Sequence, residues 1–175
     1  MVRTLREAGK AFRHGFATLD DEDLHDLRKR VQHHWRHMAL LSAAWPEMLD
    51  ARATTARQLS QVLGEDHDIA VLLRLLDDPV DHAETAAAGD GDDSAGNIAT
   101  SSAIRPIADA LTVALTAAQR RLIHAHGRKR QMALRRLAYT LSQRLLAEDA
   151  ENLRDTIAYC WRTAGPEPEI ALAAE

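Results

Sequence analysis

Cations and imidazoles recur along one side of the stretch Leu24-His25-Asp26-Leu27-Arg28-Lys29-Arg30-Val31-Gln32-His33-His34-Trp35-Arg36-His37. His25, Arg28 with Lys29, Gln32 and Arg36 follow one another at steps of three and four residues, the spacing that stacks side chains on one helix face. Beside them Leu24, Leu27, Val31, Trp35 and Met38 keep the same rhythm and predict the apolar seam by which this helix packs on others. Like charges one turn apart cost a helix a few tenths of a kcal/mol, so a stack of cations points to an anionic partner; a solvated charged face is the simpler alternative. A second stripe, Arg121, His124, Arg128, Gln131 and Arg135, has the same spacing further along. On antiparallel neighbours the two stripes would line one trough for a linear polyanion, whereas two solvated faces pointing in unrelated directions would do nothing together.

Composition sharpens the electrostatics. The chain of 175 residues carries a formal charge of -4, which gives no global sign of polyanion binding, but the charges are segregated. No acid lies between Asp109 and Glu148, where Arg120, Arg121, Arg128, Lys129, Arg130, Arg135, Arg136 and Arg144 all fall. A polyanion feels that local field and not the net charge. Apart from Lys10, Lys29 and Lys129 the cations are all Arg, whose fork of donors matches phosphate oxygens and never loses its charge. Cys160 is the single cysteine, so no intrachain disulfide forms and a reducing compartment is expected. The segment Met1-Val2-Arg3-Thr4-Leu5-Arg6-Glu7 has no apolar signal core and no run approaches membrane length, which predicts a cytoplasmic chain without membrane contact.

The elements that must position these side chains read as helices throughout. A first helix is predicted over Val2 to Ala17, and a second over Asp21 to Ala44, opened by the acids of Asp20 to Asp23 and stopped by Trp45-Pro46. A third runs from Pro46 to Leu63, with Met48, Leu49, Ala53, Ala56, Leu59 and Val62 inward and Gly64 closing it. A fourth starts at Glu65 or Asp66, carries Ile69, Leu72, Leu73 and Leu76, and stops near Asp78-Pro79. The acidic, Gly-bearing stretch of residues 80–102 is expected to be a mobile loop. After Ile104-Arg105-Pro106 one long helix reaches toward Glu148, with Leu111, Leu115, Ala118, Leu122 and Ala125 in one phase, Leu134, Leu137, Leu141 and Leu145 in another, and Gly127 as a candidate kink between them. A last helix spans about Ala150 to Ala164. With no period-two segment, the fold class is all-α, an antiparallel helical bundle forming a single domain over residues 1–165, and residues 166–175 form a disordered tail.

Other chemistries compete. The dipeptides His25-Asp26 and His67-Asp68 evoke metal-dependent HD-type phosphohydrolases, and His33 with His37 are one turn apart; either would need further ligands converging on one ion. The alternative is that these histidines cap, pack or fringe the basic face, with His67 and Asp68 near a helix start serving structure. Binders of single-stranded nucleic acid add exposed aromatic platforms, whereas Phe12, Phe16, Trp35, Trp45, Tyr139, Tyr159 and Trp161 are expected mostly on apolar seams. An interaction protein using apolar residues around Leu40, Leu41 and Trp45 is a third class.

Leu24-His25-x-x-Arg28-Lys29-Arg30-Val31 with Trp35, followed by Leu63-Gly64-Glu65-Asp66-His67-Asp68-Ile69-Ala70-Val71-Leu72, resembles the CHAD domain, the conserved histidine α-helical domain. Arg144-Leu145-Leu146-Ala147-Glu148 and Ala158-Tyr159-Cys160-Trp161-Arg162 look like the end of the same domain. The resemblance implies a fold of two similar four-helix bundles, of which this chain would hold the carboxy-terminal one, a homodimer supplying the other. It implies non-catalytic binding of inorganic polyphosphate, with His25, Arg28 and Lys29 at matched positions, no cofactor, and association with polyphosphate granules. Members often sit beside a CYTH triphosphatase domain; no such glutamate-rich strand is present here, so catalysis is not inherited. Gln32 stands where a lysine is common and Ser142 where a Gly often is, so affinity per chain is expected to be weaker. On this reading His25, Arg28, Lys29, Gln32, Arg36, Arg121, His124, Arg128 and Arg135 contact the polyanion, and a phosphate beside His25 favours its charged form, tightening binding below neutrality.

Overall fold

A computed structural model describes residues 1–77 and 115–163 of the chain. The described residues form five α-helices: α1 Val2–Thr18, α2 Asp21–Leu41, α3 Pro46–Asp77, α4 Ala117–Leu145 and α5 Ala150–Thr163, with a 3-10 turn at Ser42–Ala44. No strand occurs among them, as the missing period-two pattern requires. The acidic loop and the terminal tail expected from the sequence lie outside the described residues, as does Leu111. The chain divides into two compact units, one of residues 1–65 with those from 134 onward, the other of residues 66–133.

In the first unit, capping chemistry sets the helix boundaries. The Asp20 carboxylate accepts the Glu22 amide at 2.9 Å and opens α2; Asp149 does the same for Glu151 at the start of α5. Between α1 and α2 the chain turns through Leu19, a non-Gly residue at φ 56° whose amide donates to Gly15 O at 2.8 Å. The left-handed conformation costs about 1 kcal/mol for a residue with a Cβ, and Arg135 of α4 braces it by donating to Leu19 O at 2.7 Å and to Asp21 at 2.6 Å. Arg30 reaches Glu7 across α1 and α2, and Arg52 reaches back to His34 across α3 and α2, pairings that only antiparallel neighbours allow. Leu5, Met38, Ala44, Leu49, Ala53, Ala150, Leu153 and Ile157 form a core cluster, joined by partly buried Met48, Leu146 and Cys160.

In the second unit the end of α3 packs against the start of α4. A Cβ on Gly127 would stand 3.0 Å from Leu73 Cδ2 and 3.3 Å from Ile69 Cγ2, so Gly127 allows close approach within the continuous helix α4. Around it, His124 Nε2 lies 3.0 Å from Asp77, and Gln131 donates to Asp66 O at 3.3 Å.

Several sequence expectations are corrected. Gly64 does not end a helix: no glycine among the described residues has positive φ, the conformation a closing Gly supplies, and α3 runs on through it to Asp77. His67 and Asp68 are therefore mid-helix and not at a helix start. The expected long helix from Pro106 has a start at Ala117, because Thr116 and Gln119 form a capping box, Thr116 N donating to Gln119 Oε1 at 2.8 Å and Gln119 N to Thr116 Oγ1 at 3.3 Å. On α4 Ala118, Leu122, Ala125 and Leu137 are exposed, while Gln131, Leu134, Ala138, Leu141 and Leu145 are buried. The predicted seam of α2 is buried at Leu24, Leu27, Val31 and Met38, with Trp35 partly buried against the core, and His34, which the seam left out, is fully buried beside them. Trp45, Tyr159 and Trp161 are exposed, and Tyr139, though exposed in part, packs on Phe12 and Phe16.

Candidate anion-binding face

The first stripe lies on the flank of α2 turned toward α3. Two contacts fix this arrangement. The Arg28 guanidinium rests face-on against the α3 backbone at Gly64, where an added Cβ would stand 3.3 Å from Cζ and Nη2 and 3.4 Å from Nε. Two turns further along α2, the Arg57 guanidinium sits over the Trp35 ring, 5.8 Å from its centroid. Residues 28 and 35 ascend one helix by the step through which 64 and 57 descend the other, the register that antiparallel packing demands. Lys29 and Arg36 are exposed, and His25, Arg28 and Gln32 half-buried.

The charges on α2 are sorted by flank. On the α1 side, Arg30 is neutralised by Glu7 at 3.0 Å and by Asp26 at 3.8 Å. Arg28 and Arg57 at the α2–α3 contact, and the exposed Lys29 and Arg36, form no ion pair among the described residues. The Arg28 Nε–H is moreover buried without an acceptor, which costs about 1–3 kcal/mol. Folding alone does not reward holding a guanidinium there.

Gly64 is thus a seat for Arg28. Gly64→Ala is expected to leave stability unchanged or to raise it by up to about 1 kcal/mol through helix propensity, while displacing the guanidinium by a few tenths of an ångström. Urea unfolding paired with an anion-binding titration checks this split; a variant that binds like the wild type would show that the seat does not position Arg28 for binding.

The second stripe is differently employed. Arg121 and Arg128 are exposed, but His124 faces Asp77 and Gln131 is buried against α3. Arg135 belongs to the bundle of the first stripe, where it holds Leu19 and Asp21. Of the second stripe only Arg135 shares a compact unit with the first.

Sequence reasoning missed a buried network beside the stripe. Arg52 donates Nε to His34 Nε2 at 3.1 Å, Nη1 to Glu148 at 3.2 Å and Nη2 to Leu145 O at 2.7 Å. Because His34 Nε2 accepts, the proton of the neutral ring sits on Nδ1, which is buried without a partner. Burial, with the Arg52 charge adding to it, pushes His34 down to about 3. The signal was present: buried positions 24, 27, 31, 34 and 38 keep an unbroken three-four alternation, which Trp35 breaks.

Among the described residues no three His, Cys, Asp or Glu side chains are placed to hold a metal ion. The HD-type reading, and the His33 with His37 pair, therefore lack a donor set there. No helix of the described residues is long and apolar enough to cross a membrane.

Among the described residues, the fold is an all-α antiparallel bundle in which Arg28, Lys29, Arg36 and Arg57 form no ion pair. Residues 1–77, somewhat less than half of the chain, match the family model of the CHAD domain. The matched residues contain both the α2 stripe and Gly64, whereas the stretches at 144–148 and 158–162 lie beyond them. Neither the comparison with curated proteins nor that with solved structures gives a match.

Proposed function

We propose that the protein is a non-catalytic binder of inorganic polyphosphate, with His25, Arg28, Lys29, Gln32 and Arg36 on α2 as the contacts. The observation that carries this reading is on α2, where Arg28 is seated on Gly64, Lys29 and Arg36 are exposed, and none of the three forms an ion pair among the described residues. An extended phosphate chain supplies that missing charge all along the flank, and Arg geometry suits its oxygens. The CHAD-domain match over these residues supports the same ligand class. A second copy of the chain completing a longer trough, and a cytoplasmic setting near polyphosphate granules, belong to the same proposal.

Single-stranded nucleic acid is the competing polyanion, favoured by one observation: Phe12, Phe16 and Tyr139 cluster with centroids 5.2–5.4 Å apart, and Tyr139 is 43% exposed. A salt titration of binding to long-chain polyphosphate, run beside single-stranded DNA, separates the two. The expected result is affinity for polyphosphate that falls steeply with salt, by counterion release, and weaker binding of DNA. Absence of polyphosphate binding at low salt refutes the proposal.

A further inference from the structure

We propose that Arg57, which lies on α3 outside both basic stripes, is a further phosphate-contacting residue that grips the same linear anion as Arg28 about two helical turns away. This inference rests on the polyphosphate reading. Its basis is the pairing of α2 and α3. Arg28 with Gly64, and Trp35 with Arg57, mark two levels of one cleft, separated along the helix axes by about 10 Å at 1.5 Å per residue. Gln32 and Gln61 occupy the intervening turn of each helix, so the cleft carries cations at two levels and neutral amide donors between them. That order matches a chain of evenly spaced phosphates and avoids crowding like charges.

Arg57 is suited to the part. It is exposed, and among the described residues it forms no ion pair. The Trp35 ring lies under its guanidinium, which holds the side chain in place and lowers the entropy lost when a ligand engages it. Stacking uses the face of the guanidinium and leaves its N–H edges to bond phosphate oxygens.

A purely structural role for Arg57 would be to shield Trp35 from water, and the test separates the two. Arg57→Met keeps an aliphatic cover over the indole and removes the charge. Binding of long-chain polyphosphate is measured across a salt series for the wild type, Arg57→Met and Arg28→Ala, with pyrophosphate as a short probe. Arg57→Met is expected to lose about tenfold in affinity for the long chain and about one unit of salt slope, with a smaller loss for pyrophosphate, which is too short to engage both levels. If Arg28→Ala weakens binding while Arg57→Met changes neither affinity nor slope, Arg57 only covers Trp35, and this inference fails with the polyphosphate reading intact. An equal loss for pyrophosphate and the long chain rejects the two-level grip. If the wild type binds no polyphosphate, the reading itself fails and takes this inference with it.

Discussion

Exchanging Arg28 and Lys29 together for Ala is expected to weaken polyphosphate binding about a hundredfold and to flatten its salt dependence by about two units, with the helical bundle intact. The fold tolerates the change because neither side chain forms an ion pair among the described residues. Removing Arg28 also removes a buried N–H that has no acceptor, so the midpoint of thermal unfolding should stay where it is or rise. Affinity and melting temperature measured on one preparation therefore move independently, or in opposite directions. Unchanged affinity and slope would take the α2 flank out of the site; a collapse of the far-UV helical signal would mean that Arg28 is structural.

Acidification from pH 6.5 to pH 4 is expected to remove roughly 3 kcal/mol of folding stability through His34 alone. In the unfolded chain this imidazole takes up its proton near its ordinary value of 6.5; in the fold, burial and then Arg52 hold protonation off until about 3. Between those values the unfolded state binds more protons, so stability is full above pH 6.5 and is lost progressively as the pH falls toward 3. His37, also lowered by burial, adds with the same sign. Urea unfolding at a series of pH values reads the slope directly, and His34→Gln should be less stable near neutrality but flatter below it. Equal slopes for the two proteins would mean that His34 protonates freely inside the fold.

The parts of this structure legible in the sequence are those set by local chemistry. Asp20 and Pro46 mark helix starts by capping and by a fixed backbone angle, and both fall where they were expected. The cationic periodicity of α2 likewise needs only helical spacing. What a sequence does not display is the partner across a tertiary contact. Gly64 reads as a terminator because glycine usually ends helices, yet it is retained inside α3 where Arg28 approaches. Gly127 reads as a kink for the same reason and is a contact point for Leu73 and Ile69. His34 reads as one histidine among several on a basic helix; only the arrival of Arg52 makes it a core residue. Arg135 matches the second stripe in spacing, but its role depends on a strained carbonyl more than a hundred positions away, with a sequence separation of 116.

The reach of Arg52 bears on how the protein is made. Its acceptors Glu148 and Leu145 lie 96 and 93 positions downstream, and Ala150, Leu153 and Ile157 fill the same core. At roughly 5–20 residues per second of translation, α1 to α3 are synthesised several seconds before the helices that cover them. During that interval Met38, Leu49 and Ala53 lack the cover of the later helices, and Arg52 has His34 but not yet Glu148 or the Leu145 carbonyl to bond. The core begun by residues 1–77 is therefore completed only when Ala150, Leu153 and Ile157 have been added to it.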